Sequence, residues 1–163
     1  MTGGKTPSEP KRILIDSMIV DLIAAESDLP EKIARANTNG CLVIVETHIL
    51  PTQLSATRCE SRRALLLETY EALPRRPVST GGFVLGVSTF ASADLGESMP
   101  LGDVMTAGRG RMEDALLAAT ASLRADVLVT ADVDLQKKAR SAKDVTCEVW
   151  NVREFLRFIE ACL

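Results

Sequence analysis

Hydrophobic and polar positions along this chain separate into short apolar runs and longer stretches of helical period. Ile13-Leu14-Ile15 is an apolar run that stops at Asp16, after which Ile19, Val20, Leu22 and Ile23 recur at helical spacing. This predicts a strand followed by a helix. A second helical piece covers Glu31 to Asn37 after Pro30. Asn39-Gly40 then punctuates the chain before Cys41 to Val45, whose continuous apolar character suits a strand buried on both faces. A helix is predicted to begin near Thr47, and another over Glu60 to Leu73 places Leu66, Leu67, Tyr70 and Leu73 on one face before Pro74. Residues 82–88, GFVLGVS, suit either a strand or a short apolar helix. Residues 91–109, rich in Gly, Ser and Ala, suit a flexible loop over a site. Beyond them the pattern predicts a helix from Arg111 to Arg124, a strand at 127–129, a helix from Asp132 to Arg140, a strand over 145–150 and a final helix from Val152 to Ile159 capped by Asn151.

Strands that alternate with helices predict an α/β fold, a three-layer sandwich with helices on both faces of a central parallel sheet. Residues 1–12, MTGGKTPSEPKR, have no aliphatic residue beyond Met1 and are expected to be a disordered leader. Residues 13–163 form one domain. With 163 residues, 46% hydrophobic and 25% charged, the chain is large enough to fold without disulfide or metal staples. Without the leader, 16 basic and 21 acidic residues remain, so no global basic field draws nucleic acid and any such site is local. No apolar stretch approaches the ~20 residues of a membrane span, and no apolar segment of a signal peptide follows the leader, which predicts a cytoplasmic protein. Cys41, Cys59, Cys147 and Cys162 form no C-x-x-C pair, and with the single His48 they complete no common zinc pattern. They are expected to be reduced structural thiols.

In parallel α/β folds the functional crevice lies at the carboxyl ends of the strands. Asp16 follows one predicted strand, Thr130, Asp132 and Asp134 follow another, and Asp114 opens the helix leading to the latter. Each acid alone has a structural explanation: Asp16 and Asp132 or Asp134 as helix N-caps, and Asp114 as an anion in a first helical turn. Together they say more. Asp114 shares a helical face with Leu117, Ala118 and Ala121, which turns it toward the sheet. Carboxylates gathered in one crevice repel unless protons or cations lie between them. Oxygen ligands without His or Cys favour Mg²⁺ or Mn²⁺ over Zn²⁺, and such a cation activates water and stabilises charge on a phosphodiester.

The segment EDALLAATASLRADVLVTADVDL, residues 113–135, closely resembles the C-terminal motif of PIN domains, including the interval of eighteen residues from Asp114 to Asp132. Ile13 to Asp16 with Ser17 is similar to that family's first strand and its acid, with Met18 where many members have Asn. EVWNVREFLRFI resembles its closing strand and helix, and the resemblance extends over nearly all of residues 12–161. It implies a parallel α/β sandwich and a Mg²⁺- or Mn²⁺-dependent ribonuclease. It also implies, as in VapC-like toxins, a cognate antitoxin and a homodimer. By the same resemblance Asp16, Asp114 and Asp132 are metal ligands, Asp134 is a supporting acid, and Thr130 or Ser17 orients ligands or water. One position departs from the family: its second acid, in a stretch resembling THILPTQLSAT (47–57), falls on Gln53. Glu46 is the nearby acid that would substitute.

The run QKKARSAK, 136–143, brings Lys137, Lys138 and Arg140 just past the acids, where they would hold RNA phosphates; a solvated helix face is the commoner use of such a run. Arg109 and Arg111 are a second candidate for the RNA backbone. Aromatic residues at 4% leave little capacity for base stacking. The alternative to a nuclease is a catalytically degenerate PIN-fold module that binds RNA or organises an assembly, a view that Gln53 supports. A phospho-acceptor receiver domain lacks the Lys it needs near Trp150.

Overall fold

The computed structural model describes residues 9–79, 109–143 and 145–163, with residues 109–112 described by backbone alone. The leader up to residue 8, the 82–88 segment and nearly all of the 91–109 loop lie outside the described residues. Along the chain run β1 (Lys11–Ile15), α1 (Ser17–Ala25), α2 (Leu29–Thr38), β2 (Leu42–Glu46), α3 (Ile49–Ser55), α4 (Glu60–Ala72), β3 (Arg75–Pro77), α5 (Arg109–Arg124), β4 (Val127–Val129), α6 (Val133–Ser141), β5 (Glu148–Trp150) and α7 (Val152–Ala161). The five described strands form one all-parallel sheet in the order β3-β2-β1-β4-β5.

Period-2 alternation in the strands divides the core between the two faces. Ile13, Ile15, Leu42, Ile44, Val127 and Val129 point to one face and pack against apolar residues of α1, α2, α3, α4 and α7. Leu14, Val45, Leu128 and Val149 point to the other and pack against α5 and α6. The result is a three-layer sandwich, as the alternation of elements predicts. Each fully buried Ile or Leu contributes about 1.5–3 kcal/mol relative to exposure. α5 lies against the sheet through Ala115, Ala118 and Ala121, all fully buried; such small side chains let a helix backbone come close to the strands.

Two predicted boundaries differ in ways that bear on the site. β1 starts at Lys11 rather than after residue 12, because Lys11 N–H donates to the Cys41 carbonyl (2.8 Å) and the Arg12 guanidinium pairs with Asp126 (2.8 Å). α5 begins at Arg109, and its first turn holds no acid. Asp114 therefore does not open the helix, and interaction with the helix dipole, which fades within one turn, does not account for it. The short edge strand β3 was not predicted.

The ends of the helices follow their sequences. α2 closes with Gly40 at φ 74°. Gly40 N–H donates to Asn37 O (2.8 Å) and Cys41 N–H to Ala36 O (3.0 Å), the Schellman pattern that glycine permits. α7 opens with a reciprocal capping box between Asn151 and Glu154. Among the described residues no helix is long and apolar enough to cross a membrane.

Candidate functional site

The strand order places a switch point between β1 and β4: from β1 the chain builds outward through β2 and β3, then returns to the other side of β1 for β4 and β5. Crevices in open parallel sheets form at such a point, beyond the carboxyl ends of the strands. Asp16 ends β1 there and Thr130 ends β4.

Asp16 is 7% exposed and Thr130 fully buried. Asp16 is the N-cap of α1, its Oδ1 accepting from Ile19 N–H at 2.9 Å, while Oδ2 accepts from the Thr130 hydroxyl. The same hydroxyl oxygen accepts from Asp132 N–H at 3.0 Å, and the Thr130 carbonyl accepts from Gln136 Nε2 at 2.7 Å. Thr130 thus joins the ends of two neighbouring strands into one polar unit. Asp132 caps α6, its Oδ1 accepting from Asp134 N–H (2.8 Å) and Leu135 N–H (3.1 Å). The structural explanation of these two acids as caps is therefore correct. It engages only one oxygen of Asp132. Asp134 is exposed in the first turn of α6, and Ser17 is half-buried at the start of α1.

Electrostatics link Asp114 to this unit. Burial pushes its carboxyl above the usual carboxylate range, and the negative charges of Asp132, Asp16 and Glu113 push it further; Lys138 acts in the opposite direction. Asp16 is raised for the same leading reason, burial, which outweighs its hydrogen bonds from Thr130, Ile19 and Ala131, and the charge of Asp132 adds to the rise. Asp114 thus lies in the field of Asp16 and Asp132, and Asp16 in that of Asp132.

Sequence reasoning did not single out Glu113. Gln53 on α3 reaches across to α5, its Nε2 donating to Glu113 Oε2 at 3.0 Å. The Gln53 Oε1 is buried and has no hydrogen-bond partner among the described residues. A carboxylate therefore lies beside the Gln53 amide, supplied by the residue preceding Asp114. Glu46, by contrast, ends β2 in an ion pair with Arg75, whose guanidinium also covers the Tyr70 ring at 4.7 Å. Its nearest cation is thus structural. It lines a cleft with Thr47, His48, Pro51, Pro77, Val78 and Ser79.

The basic candidates separate as well. Arg140 is taken up by the fold, donating through Nε and Nη2 to the Val149 carbonyl (3.1 and 2.8 Å) and pairing with Glu154 (2.8 Å). Lys137 and Lys138 are exposed on α6. The backbone of Arg109 and Arg111 lies on α5, ahead of Asp114.

Among the described residues no three His, Cys, Asp or Glu side chains stand close enough together to hold a metal ion. The donor chemistry nevertheless suits a hard cation: carboxylates within one field, no thiol or imidazole among them, and an unpartnered amide oxygen beside Glu113. Asp16, Asp114 and Asp132 are the carboxylates that would have to draw closer together to hold it. No protein-family model matches the sequence, and no curated protein is significantly similar to it.

Proposed function

We propose that the protein is a metal-dependent endoribonuclease with a PIN-like site at the β1/β4 switch point, acting on RNA in the cytoplasm. The observation that carries this reading is the Asp16–Thr130–Asp132 unit at the strand ends, with Asp114 in the field of both acids. A Mg²⁺ or Mn²⁺ ion held by Asp16, Asp114 and Asp132 would supply an activated water and stabilise charge on the phosphodiester, the chemistry by which the resembling family leaves a 5′-phosphate. The chain's own residues have separate tasks. Thr130 fixes the direction of the Asp16 carboxylate, the α6 cap fixes Asp132, and Lys138 offers a positive charge to a phosphate beside Asp114. Lys137, Arg109 and Arg111 extend that charge along the RNA backbone. A VapC-like antitoxin and a homodimer are the partners this reading carries with it.

A second reading, a catalytically degenerate RNA-binding or assembly module, is favoured by the neutral Gln53 amide bound to Glu113 and by the absence of three ligating side chains close together among the described residues. Incubating a mixed RNA substrate with Mg²⁺ or Mn²⁺, with Asp114→Asn as control, separates the two. Metal-dependent cleavage by the wild type that is lost in the variant supports the nuclease. RNA binding without cleavage at any metal concentration supports the module.

A further inference from the structure

At the opposite edge of the sheet two cysteines far apart in sequence are brought together. Cys41 occupies the residue after Gly40 in the Schellman turn, held from both sides by its own N–H to Ala36 O (3.0 Å) and by Lys11 N–H to its carbonyl (2.8 Å). Cys162 is the C-cap of α7, and its carbonyl accepts from Asn39 Nδ2 at 2.8 Å, which ties the end of α7 to the turn that carries Cys41. Lys32 on α2 reinforces the junction by pairing with Glu160 at 2.7 Å. The Cys162 side chain packs at the border of the core, next to the turn that carries Cys41, and the two thiols influence one another electrostatically. Both are thiols, and both are half-buried.

We infer that Cys41 and Cys162 form an oxidation site that takes a peroxide as oxidant and closes to an intramolecular disulfide across the α2–β2 turn and the end of α7. In the first step the Cys41 sulfur attacks one peroxide oxygen, the O–O bond breaks, and a sulfenic acid and one water form from the thiol and hydrogen peroxide. In the second, the Cys162 sulfur attacks the sulfenyl sulfur, the S–O bond breaks, and a second water leaves with the thiol proton. Two thiols are oxidised by two electrons and one peroxide is reduced. Burial and the neighbouring Cys41 thiol raise the Cys162 thiol, so it makes little thiolate on its own and gives up its proton to the departing hydroxide as the S–S bond forms in the second step.

The bridge would close a loop of more than a hundred residues, for which the loss of unfolded-state entropy is large; a rise in Tm of roughly 10 °C is expected. Because the cysteines lie at the strand starts and the acids at the strand ends, the inference is independent of the proposed nuclease activity.

The test is to treat the full chain with hydrogen peroxide, count thiols under denaturing conditions, map peptides without reduction and follow Tm. The expected result is the loss of two of the four thiols, a Cys41–Cys162 peptide, and a Tm rise that dithiothreitol reverses. In Cys41→Ser and in Cys162→Ser no intramolecular bridge forms and the peroxide-dependent Tm rise disappears. Recovery of both cysteines as free thiols, oxidation of Cys41 to the sulfinic acid without a bridge, or linkage through Cys59 or Cys147 instead would overturn the inference.

Discussion

The strand starts and the β1/β4 switch point at the strand ends treat acidic residues in opposite ways. At the strand starts acids are paired with basic side chains. Arg12 pairs with Asp126 (2.8 Å), Lys11 with Glu148 (3.0 Å), and Lys32 with both Asp28 (2.9 Å) and Glu160 (2.7 Å). Hydrogen bonds and charge from Arg12 hold Asp126 below the usual carboxylate range, and Lys11 does the same for Glu148. At the strand ends Asp16 and Asp114 are raised, by burial first and by neighbouring carboxylates second. The second arrangement costs stability beyond what the two helix caps return, since buried like charges favour protonation or unfolding. The contrast separates acids paired with basic side chains from acids that burial and neighbouring carboxylates hold in a costly state.

The substitution that breaks the strand-end unit most severely is Thr130→Val. It keeps the shape and removes the hydroxyl, leaving Asp16 Oδ2 without its donor and Asp132 N–H without its acceptor. About 2–4 kcal/mol of stability should be lost in urea denaturation, and the Asp16 carboxyl should rise further.

A matched pair of substitutions sharpens the comparison. Asp126→Asn at the strand starts should cost less than about 1 kcal/mol, the pair being solvent-screened, whereas Asp114→Asn at the strand ends should leave stability unchanged or slightly raised at neutral pH. The pH dependence carries opposite signs. The lowered carboxyl of Asp126 contributes stability that is present above its unfolded pKa of about 3.9 and is lost as pH falls through the folded value. Asp114 is raised, so the wild type loses stability as pH climbs from about 3.9 through the folded value, and Asp114→Asn escapes that loss. Melting curves between acid and neutral pH should therefore show the Asp126→Asn deficit growing with pH and the Asp114→Asn advantage growing with pH. Parallel curves for both variants would abolish the distinction between the strand starts and the strand ends.

Much of this arrangement was legible in the sequence, and the limits have physical causes. The βα alternation, the 127–129 strand and the Asn151 cap depend on local pattern, and the structure matches them. β3, three residues of Arg-Arg-Pro, has no apolar or β-branched signal, because an edge strand against β2 needs only backbone pairing there. Asp16 and Asp132 were visible as strand-end acids that also cap helices. The Gln53–Glu113 pair was not, since it joins residues sixty apart in sequence. Nor was the engagement of Glu46 by Arg75, or of Arg140 by Val149 and Glu154, which only the folded neighbours decide.

Gln53→Glu turns the amide–carboxylate contact with Glu113 into two facing carboxylates. The variant should melt a few degrees lower than wild type without divalent cations and gain more than wild type when Mg²⁺ is added, because the added charge strengthens binding of a hard cation. An equal response to Mg²⁺ in both proteins would place Gln53 outside the cation's reach. The smallest effects belong to the basic residues. Lys137→Ala and Lys138→Ala should each reduce the salt slope of RNA binding by about 1, uniformly across sequences. Arg140→Ala should instead cost about 1 kcal/mol of stability with little change in slope.

The central claim is that the acids at the strand ends share a cation, and calorimetric titration of Mn²⁺ into the full chain tests it without relying on RNA or on catalysis. The account predicts one saturable site in the wild type that is weakened at least about tenfold, or about 1.4 kcal/mol, in Asp114→Asn. It also predicts an unchanged isotherm in Asp126→Asn. No saturable heat in the wild type, or the same isotherm in wild type and Asp114→Asn, would contradict it.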